Sequence, residues 1–559
     1  MMGTNIRIAG QAGQGVKSAG ALLVNALARR GLHVLATRSY MSRIRGGLNW
    51  YDIRIADSRI YAGRDQADIL VALNDEALEV LGPELSAGGI VVSNGPPSDG
   101  RVGIEMETVA QEIGGAKVMA NTVAAGAVYA ICGYRVDQLC EYLSETFAQK
   151  GEDLVSRNVA CACKGAELAA AAGASLAAPR GNCAVLSVMD GASVVALSAC
   201  RAGLKFATAY PMTPATSTFT WLAANATEYG LVVEQAEDEL AAVNMICGAS
   251  YAGAVSMTAT SGGGFALMTE ALSLAGMMEL PIVILLAQRP GPATGMPTRT
   301  AQQDLLMAIH AGHGEFPRAI YAPGTCRQCY STTRLAIATA HKYQSPVIIL
   351  TDQYLQDMET NYDPPEEAGP VDRHIQADPG DGYERYKVTP SGVSPRAVPG
   401  GRAKVVCDSD EHTADGHITE DIDAHMTQQD KRLRKAKGLA AESLPPEMYP
   451  RQADQAETLL MAWGSTYGPC REAVDLINKS GGSAAMLHFG QVWPLNVWKA
   501  RKAIAGSKRV VSVEANQTGQ FASLLHQQGL DDKIELVTRY DGLPFTAGYI
   551  LDALEQSRE

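Results

Sequence analysis

The chain has 559 residues, 46% hydrophobic and 19% charged, an ordinary globular balance that excludes disorder as its theme and suits about three or four domains of roughly 150 residues. Forty-seven Lys and Arg against 60 Asp and Glu leave a net charge of −13, so no domain-wide basic field offers itself to nucleic acid or an anionic membrane. The most apolar long window, Ala271 to Gln288, is broken by Glu279 and Pro281. It falls short of the about 20 unbroken apolar residues of a bilayer span and reads as a helix end followed by a buried strand. The start shows no basic segment and apolar stretch before a small-residue cleavage site, and the 11 cysteines have no dense spacing, so a cytoplasmic chain with reduced thiols is expected.

From Asn5 the sequence reads strand NIRIA, Gly-rich turn GQAGQG, helix VKSAGALLVNALARR, the stop Gly31 and strand LHVLAT. This βαβ start predicts a parallel sheet, continued by apolar runs at 67–74 and 89–94. An Ala-rich stretch from Lys164 to Ala178 loses all strand signal and puts a boundary near residue 180. A second unit is expected to open with a strand over 182–188 and to repeat the α/β rhythm through 230–235, 254–260, 280–287 and 345–352. These runs are nearly continuous apolar, as strands buried on both faces must be. Residues 361–450 are rich in Pro, Gly and charge with little apolar periodicity, and read as an extended connecting arm. From 451 to 559 the α/β pattern returns in a smaller domain.

Gly10, Gly13 and Gly15 stand where a strand meets a helix, where freed amides can approach an anion. Their spacing is not the dinucleotide fingerprint, and the next strand ends in Arg38 rather than the carboxylate that would hold a ribose, so an NAD site is disfavoured. Arg38, Arg43 and Arg45, with Gly46 and Gly47, suit the phosphates of a nucleotide-bearing ligand, or simply form a packed loop. Cys326 with Cys329 and Cys161 with Cys163 lack the four-ligand spacing of zinc or a cluster, and no metal site is assigned to this chain. Thr325 reads as an N-cap that puts Cys326 and Cys329 on one helix face as ordinary buried thiols. Gly380-Asp381-Gly382 is not followed by the Asn-Asn pair of a diphosphate and Mg²⁺ site, and reads as a turn.

The second unit carries the densest chemistry. Pro211 and Pro214 hold Thr213 in a rigid loop after a strand-like KFATA, at the strand end where α/β sheets bind ligands. Strand GLVVEQ runs into Glu237-Asp238-Glu239 and a helix, where carboxylates serve the helix dipole unless a ligand claims one. ATSGGG (259–264) and QRPGPATGMPT (288–298) each follow a strand and add turn amides, hydroxyls and Arg289. Four such loops on one sheet edge form a candidate site for an anionic ligand.

With these residues in hand, the chain resembles the α subunit of 2-oxoacid:ferredoxin oxidoreductases, nearest to the 2-oxoglutarate type in which a γ-type domain precedes the α part. YPMTPATS, EDELAAVNMICGASYAG, TATSGGG and QRPGPATGMPT are similar to its pyrimidine-domain signatures, and GQAGQG, SRIRGG and NTVAAGA (121–127) to its γ domain. The resemblance implies an α/β fold of three domains containing parallel sheets: γ-type (1–180), pyrimidine-binding (181–360) and, beyond the arm (361–450), transketolase C-terminal-like (451–559). It implies oxidative decarboxylation of a 2-oxoacid, with coenzyme A as co-substrate and ferredoxin as acceptor. Thiamine diphosphate would be shared with a β subunit in an (αβ)2 heterotetramer, with Mg²⁺ and a [4Fe-4S] cluster in β. Glu239 would be the catalytic carboxylate on the pyrimidine ring, and Tyr210, Pro211, Ser261 and Gly262 would line the cofactor. Thr213, Arg289 and Thr298 match positions that hold the substrate carboxylate, and Gly13, Gly15, Arg43 and Arg45 would meet CoA phosphates. A nicotinamide enzyme built on the first domain and a non-catalytic assembly subunit remain the alternatives.

Overall fold

The computed structural model describes residues 3–41, 47–98, 100–365, 369–451, 455–530 and 533–557. Its contacts gather into two units, Met1–Met189 with Met358–Asp363, and Asp190–Asp357 with Pro364–Glu559. Three mostly parallel sheets carry the fold.

In the first unit, strand Thr4–Gln11 passes through the Gly-rich turn into helix Val16–Arg29, which buries Ala19, Leu23, Val24 and Leu27 at helical spacing. Gly15 has φ 79°, a left-handed conformation that favours glycine. Strand His33–Ser39 follows as expected, but Leu48–Ala56 lies between it and Thr4–Gln11, antiparallel to both. The chain between Ser39 and Leu48 is too short for the crossover of a dozen or more residues that parallel neighbours need, so a hairpin forms and the expected all-parallel sheet is mixed. Beyond Thr4–Gln11 the strands Ala67–Ala72, Leu85–Asn94 and Val102–Ile104 add in parallel. On the other side Glu359–Asn361 returns to pair with His33–Ser39, and the Asn361 side chain accepts from Val34 N at 2.5 Å and donates to Leu32 O at 3.0 Å. The strand expected over 182–188 is irregular until Val188, because the amides of Asn182 and Cys183 are both taken by the Gly31 carbonyl.

The second unit holds a seven-stranded sheet ordered Gln491–Trp493, Ala319–Tyr321, Val347–Asp352, Val283–Gln288, Ser256–Thr260, Phe206–Ala209 and Val232–Gln235, parallel except for its first strand. Val283–Gln288 and Val347–Asp352 are buried at every residue, which is why their sequences are continuous apolar runs. A five-stranded sheet, ordered Glu447–Tyr449, Ala484–Phe489, Thr458–Trp463, Arg509–Glu514 and Glu535–Thr538, shares one core with it through Trp463, Phe489 and Phe521.

The arm is not extended throughout, for residues Ile422–Ala441 form a helix of 20 residues. Its inward stripe is Gln428, Lys431, Arg432, Lys435 and Leu439, a helical period written in polar letters, so apolar periodicity could not reveal it. Lys431 Nζ meets Glu279 Oε1 at 2.5 Å and Lys435 pairs with the other oxygen, all three side chains being at most 1% exposed. Glu279 follows helix Thr269–Met277 and precedes strand Val283–Gln288, as read from the window 271–288. Its φ of 52° is held by Arg385, which donates to the Glu279 carbonyl at 2.9 Å. No helix among the described residues is long and apolar enough to cross a membrane.

Candidate active site

The order of the seven-stranded sheet sets the loops after Gln288, Thr260, Ala209 and Gln235 side by side at the C-terminal ends of four neighbouring parallel strands. All four loops singled out in the sequence therefore share one edge. In the first, Tyr210 is 41% exposed while Pro211 and Thr213 are partly buried. Beside it, Asp238 caps helix Glu239–Tyr251 by accepting from Ala241 N at 2.7 Å, so the dipole role falls to Asp238 and frees its neighbour.

Glu239 is 3% exposed, and its Oε1 has no hydrogen-bond partner among the described residues. Leaving a carboxyl oxygen dry and unmatched costs about 1–3 kcal/mol or more, so this oxygen could take a donor from a bound group. Helix Gly262–Leu267 makes room for it. A Cβ on Gly264 would stand 2.5 Å from Glu239 Oε1 and 2.1 Å from Thr260 Oγ1, so only glycine lets these groups sit together. Ser261, at the N-cap, is fully buried, and its Oγ is likewise unmatched.

Arg289 begins the loop after Val283–Gln288 and donates from Nη1 to the Thr213 carbonyl at 2.7 Å, which ties two of the four loops together. Among the described residues this is its only hydrogen bond, so the remaining N–H groups of the fork stay available. Thr298 is partly buried in the same loop. The loop ends at Asp304, whose backbone N donates to Gln288 Oε1 at 2.9 Å. The Asp304 carboxyl lies over Gly262, where a Cβ would come within 2.5 Å of Oδ2, and this oxygen too is buried and unmatched. Burial pushes Asp304 up to about 6 against the opposing pull of Arg289, and burial lowers Arg289 against the pull of Asp304. The C-terminal part fixes this loop: Thr300 N donates to Gly542 O at 3.1 Å and Gln302 N to Ala515 O at 2.7 Å. Asp304 went unnoticed in the sequence, although an acid placed 15 residues after the loop's arginine, just before helix Leu305–His310, was the available signal.

In the first unit, Gln14 Oε1 braces the Gly-rich turn by accepting from Gln11 N at 2.7 Å and Asn74 Nδ2 at 2.9 Å. Gly13 faces open space, whereas a Cβ on Gly15 would fall 2.2 Å from Asn121 Nδ2, so the GQAGQG and NTVAAGA segments meet there. Asn121 is 6% exposed with an unmatched Oδ1. Arg43 and Arg45 lie outside the described residues. Arg38 turns to Glu359, Nε to Oε1 being 3.9 Å. Thr325 Oγ1 caps helix Cys326–Tyr343, and Cys326 and Cys329 are buried along it. Among the described residues no group of three or more His, Cys, Asp or Glu is placed to hold a metal.

Residues 198–431 match the family model for the thiamine diphosphate-binding part of pyruvate flavodoxin/ferredoxin oxidoreductases, and residues 5–168 match that for pyruvate ferredoxin/flavodoxin oxidoreductase. The 2-oxoglutarate oxidoreductase subunit KorA of Mycobacterium tuberculosis is 30% identical, the alignment covering 98% of this chain and 90% of that protein. A 2-oxoacid:ferredoxin oxidoreductase subunit alpha from Sulfolobus sp. is 29% identical over 98% of this chain and 96% of its own. The solved 2-oxoglutarate:ferredoxin oxidoreductase of Magnetococcus marinus, with 2-oxoglutarate, coenzyme A and succinyl-CoA bound, superposes with a TM-score of 0.92 at 32% identity, all of both chains being covered. The chain belongs to the family of 2-oxoacid:ferredoxin oxidoreductase α subunits. The four-loop edge of this α subunit, with Glu239 and Arg289, lies within the thiamine diphosphate-binding match. Its Gly-rich turn lies within the second match, which sets aside the nicotinamide reading.

Proposed function

We propose that this α subunit supplies the pyrimidine half of a thiamine diphosphate site and that the oxidised substrate is 2-oxoglutarate, converted with CoA to succinyl-CoA while ferredoxin is reduced. In this reading residues 1–180 serve as the γ-type domain, 181–360 bind the pyrimidine, 361–450 connect and 451–559 form the transketolase C-terminal-like domain. A β subunit carries the diphosphate, Mg²⁺ and [4Fe-4S] sites, in an (αβ)2 assembly. The observation that carries the proposal is the buried, unmatched Oε1 of Glu239.

The residues present fit the pyrimidine. Glu239 Oε1 is an acceptor without a donor, Gly264 leaves the space beside it clear, and the unmatched Ser261 Oγ stands in the next loop. Tyr210 and Pro211 would border the ring, and Gly262 would pass close to it. Thiamine diphosphate, when bound, supplies a carbon nucleophile and an electron sink for decarboxylation. Glu239 would hold a proton against the pyrimidine ring and return it, general acid–base work at one fixed oxygen. Arg289, steadied by the Thr213 carbonyl, would offer its free N–H groups to the substrate carboxylate, with Thr213 and Thr298 as further candidates for holding it. Asp304 moderates that charge from the Gly262 side. The turn of Gly13 and Gly15 would meet CoA phosphates with backbone amides, joined by Arg43 and Arg45. The relatives named as oxidoreductase subunits favour the catalytic reading over that of a non-catalytic assembly subunit.

The test is to purify the chain alone and with a co-expressed β subunit under anaerobic conditions. The pair should be brown and reduce a viologen with 2-oxoglutarate and CoA, whereas the chain alone should show neither colour nor turnover. A brown, active preparation of the isolated chain would overturn the two-chain site, and a pair that prefers another 2-oxoacid would overturn the substrate.

A further inference from the structure

Helices Val136–Phe147 and Glu152–Ala171 form an antiparallel hairpin joined by the turn Ala148–Lys150 and by Gly151, whose φ of 101° favours glycine. The hairpin brings Cys140 and Cys163 opposite each other with their sulfurs 3.7 Å apart. Cys163 is exposed and Cys140 partly buried. Cys161, two residues earlier on the same helix, points the other way into the core, its Sγ 3.0 Å from where a Cβ on Gly114 would stand. Neither thiol belongs to the site proposed above.

We propose that Cys140 and Cys163 are a site of reversible oxidation, in which a low-molecular-weight disulfide reacts with the pair and leaves an intramolecular disulfide across the helical hairpin. The exposed Cys163 thiolate attacks one sulfur of the external disulfide, forming a mixed disulfide and releasing the first small thiol. Cys140 then gives its proton to solvent and attacks Cys163 Sγ, which breaks the mixed disulfide and releases the second small thiol. The external disulfide gains two electrons and two protons, and the two protein thiols lose them. This order follows from access, since Cys163 is exposed and Cys140 partly buried, and burial with the adjacent thiol pushes the Cys140 thiol up. The sulfurs, already in contact, close to the about 2.05 Å of a disulfide. The product ties Val136–Phe147 to Glu152–Ala171, and the latter packs closely on Ala120–Ile131, where a Cβ on Gly126 or Gly165 would stand 2.0 Å from a carbonyl of the facing helix.

The experiment treats the full chain with oxidised glutathione without air, blocks remaining thiols, digests with trypsin and weighs the peptides. Cleavage after Arg135, Lys150, Arg157 and Lys164 leaves Cys140 on 136–150 and Cys161 with Cys163 on 158–164. These two peptides should appear joined with the loss of two hydrogens, and dithiothreitol should release them. Cys163→Ser should abolish the link and Cys161→Ser preserve it, while Cys140→Ser should leave a glutathione adduct stranded on Cys163. Closing this loop should raise the thermal midpoint of the oxidised chain by roughly 5 °C. A glutathione adduct that persists on Cys163 of the unaltered chain, a link running through Cys161, or no reaction at either sulfur would each overturn the proposal.

Discussion

Arg289→Ala removes a guanidinium that the structure holds by one bond, Nη1 to the Thr213 carbonyl at 2.7 Å, and that faces the Asp304 carboxyl. If the rest of the fork grips the substrate carboxylate, the loss is one charge-assisted interaction in a partly dry site, about 1.5–3 kcal/mol, or roughly 10- to 150-fold in affinity. The substitution also strips Asp304 of the cation that holds its proton affinity down, so Asp304 becomes harder to ionise and adds no new repulsion. The KM for the 2-oxoacid should therefore rise at least tenfold in the α–β enzyme assayed by viologen reduction, with a smaller change in kcat. Arg289→Lys should recover only part, because an ammonium cannot keep the Thr213 carbonyl and present two parallel donors to the substrate. A lowered thermal midpoint with KM unchanged would show that Arg289 merely braces the Thr213 loop, and the substrate assignment would fail.

Asp304→Asn tests the partner of that arginine. In the unaltered enzyme Asp304 is ionised above about pH 6 and offsets Arg289, so the KM should fall as pH drops through 6, whereas Asp304→Asn should keep a low, flat KM across the same window. Gly264→Ala places a Cβ 2.5 Å from Glu239 Oε1 and 2.1 Å from Thr260 Oγ1, and should cost at least tenfold in kcat without removing any reactive group; unchanged turnover would deny Glu239 its position. Glu279→Gln leaves Lys431 and Lys435 buried without their carboxylate and should destabilise the chain by about 3–5 kcal/mol in denaturant unfolding at neutral pH. The two lysines hold Glu279 well below the usual carboxylate range although burial opposes them. Its contribution is thus complete above the unfolded value near pH 4.5 and fades as pH falls, and Glu279→Gln should flatten that acid limb.

Where the sequence carried its structure in apolar periodicity, the architecture was legible. Strands Val283–Gln288 and Val347–Asp352 and the four loops at one sheet edge stood out because burial on both faces and turn chemistry both write themselves in residue type. Helix Ile422–Ala441 did not, since the face it buries is made of Lys431, Arg432 and Lys435, whose burial depends on Glu279 about 150 residues away. Strand Leu48–Ala56 was missed for a topological reason, the preference for reading consecutive strands as parallel neighbours. Within the site, Glu239 stands out from Glu237 and Asp238 only through the family resemblance, since by residue type all three suit a helix start. Asp304 and Gly264 acquire meaning only through contacts with Gly262 and with Thr260 and Glu239, which no spacing along the chain records.

The most direct measurement compares Glu239→Gln with Asp238→Asn in the α–β enzyme, both folded, by 2-oxoacid-dependent viologen reduction. Glu239→Gln should cost roughly 10²- to 10⁴-fold in turnover, the usual range for a positioned proton-transfer group. Asp238→Asn, which keeps a side-chain oxygen for Ala241 N, should change turnover little. Similar mild effects from both would mean that Glu239 is only a helix-start residue and that the pyrimidine half of the site lies elsewhere.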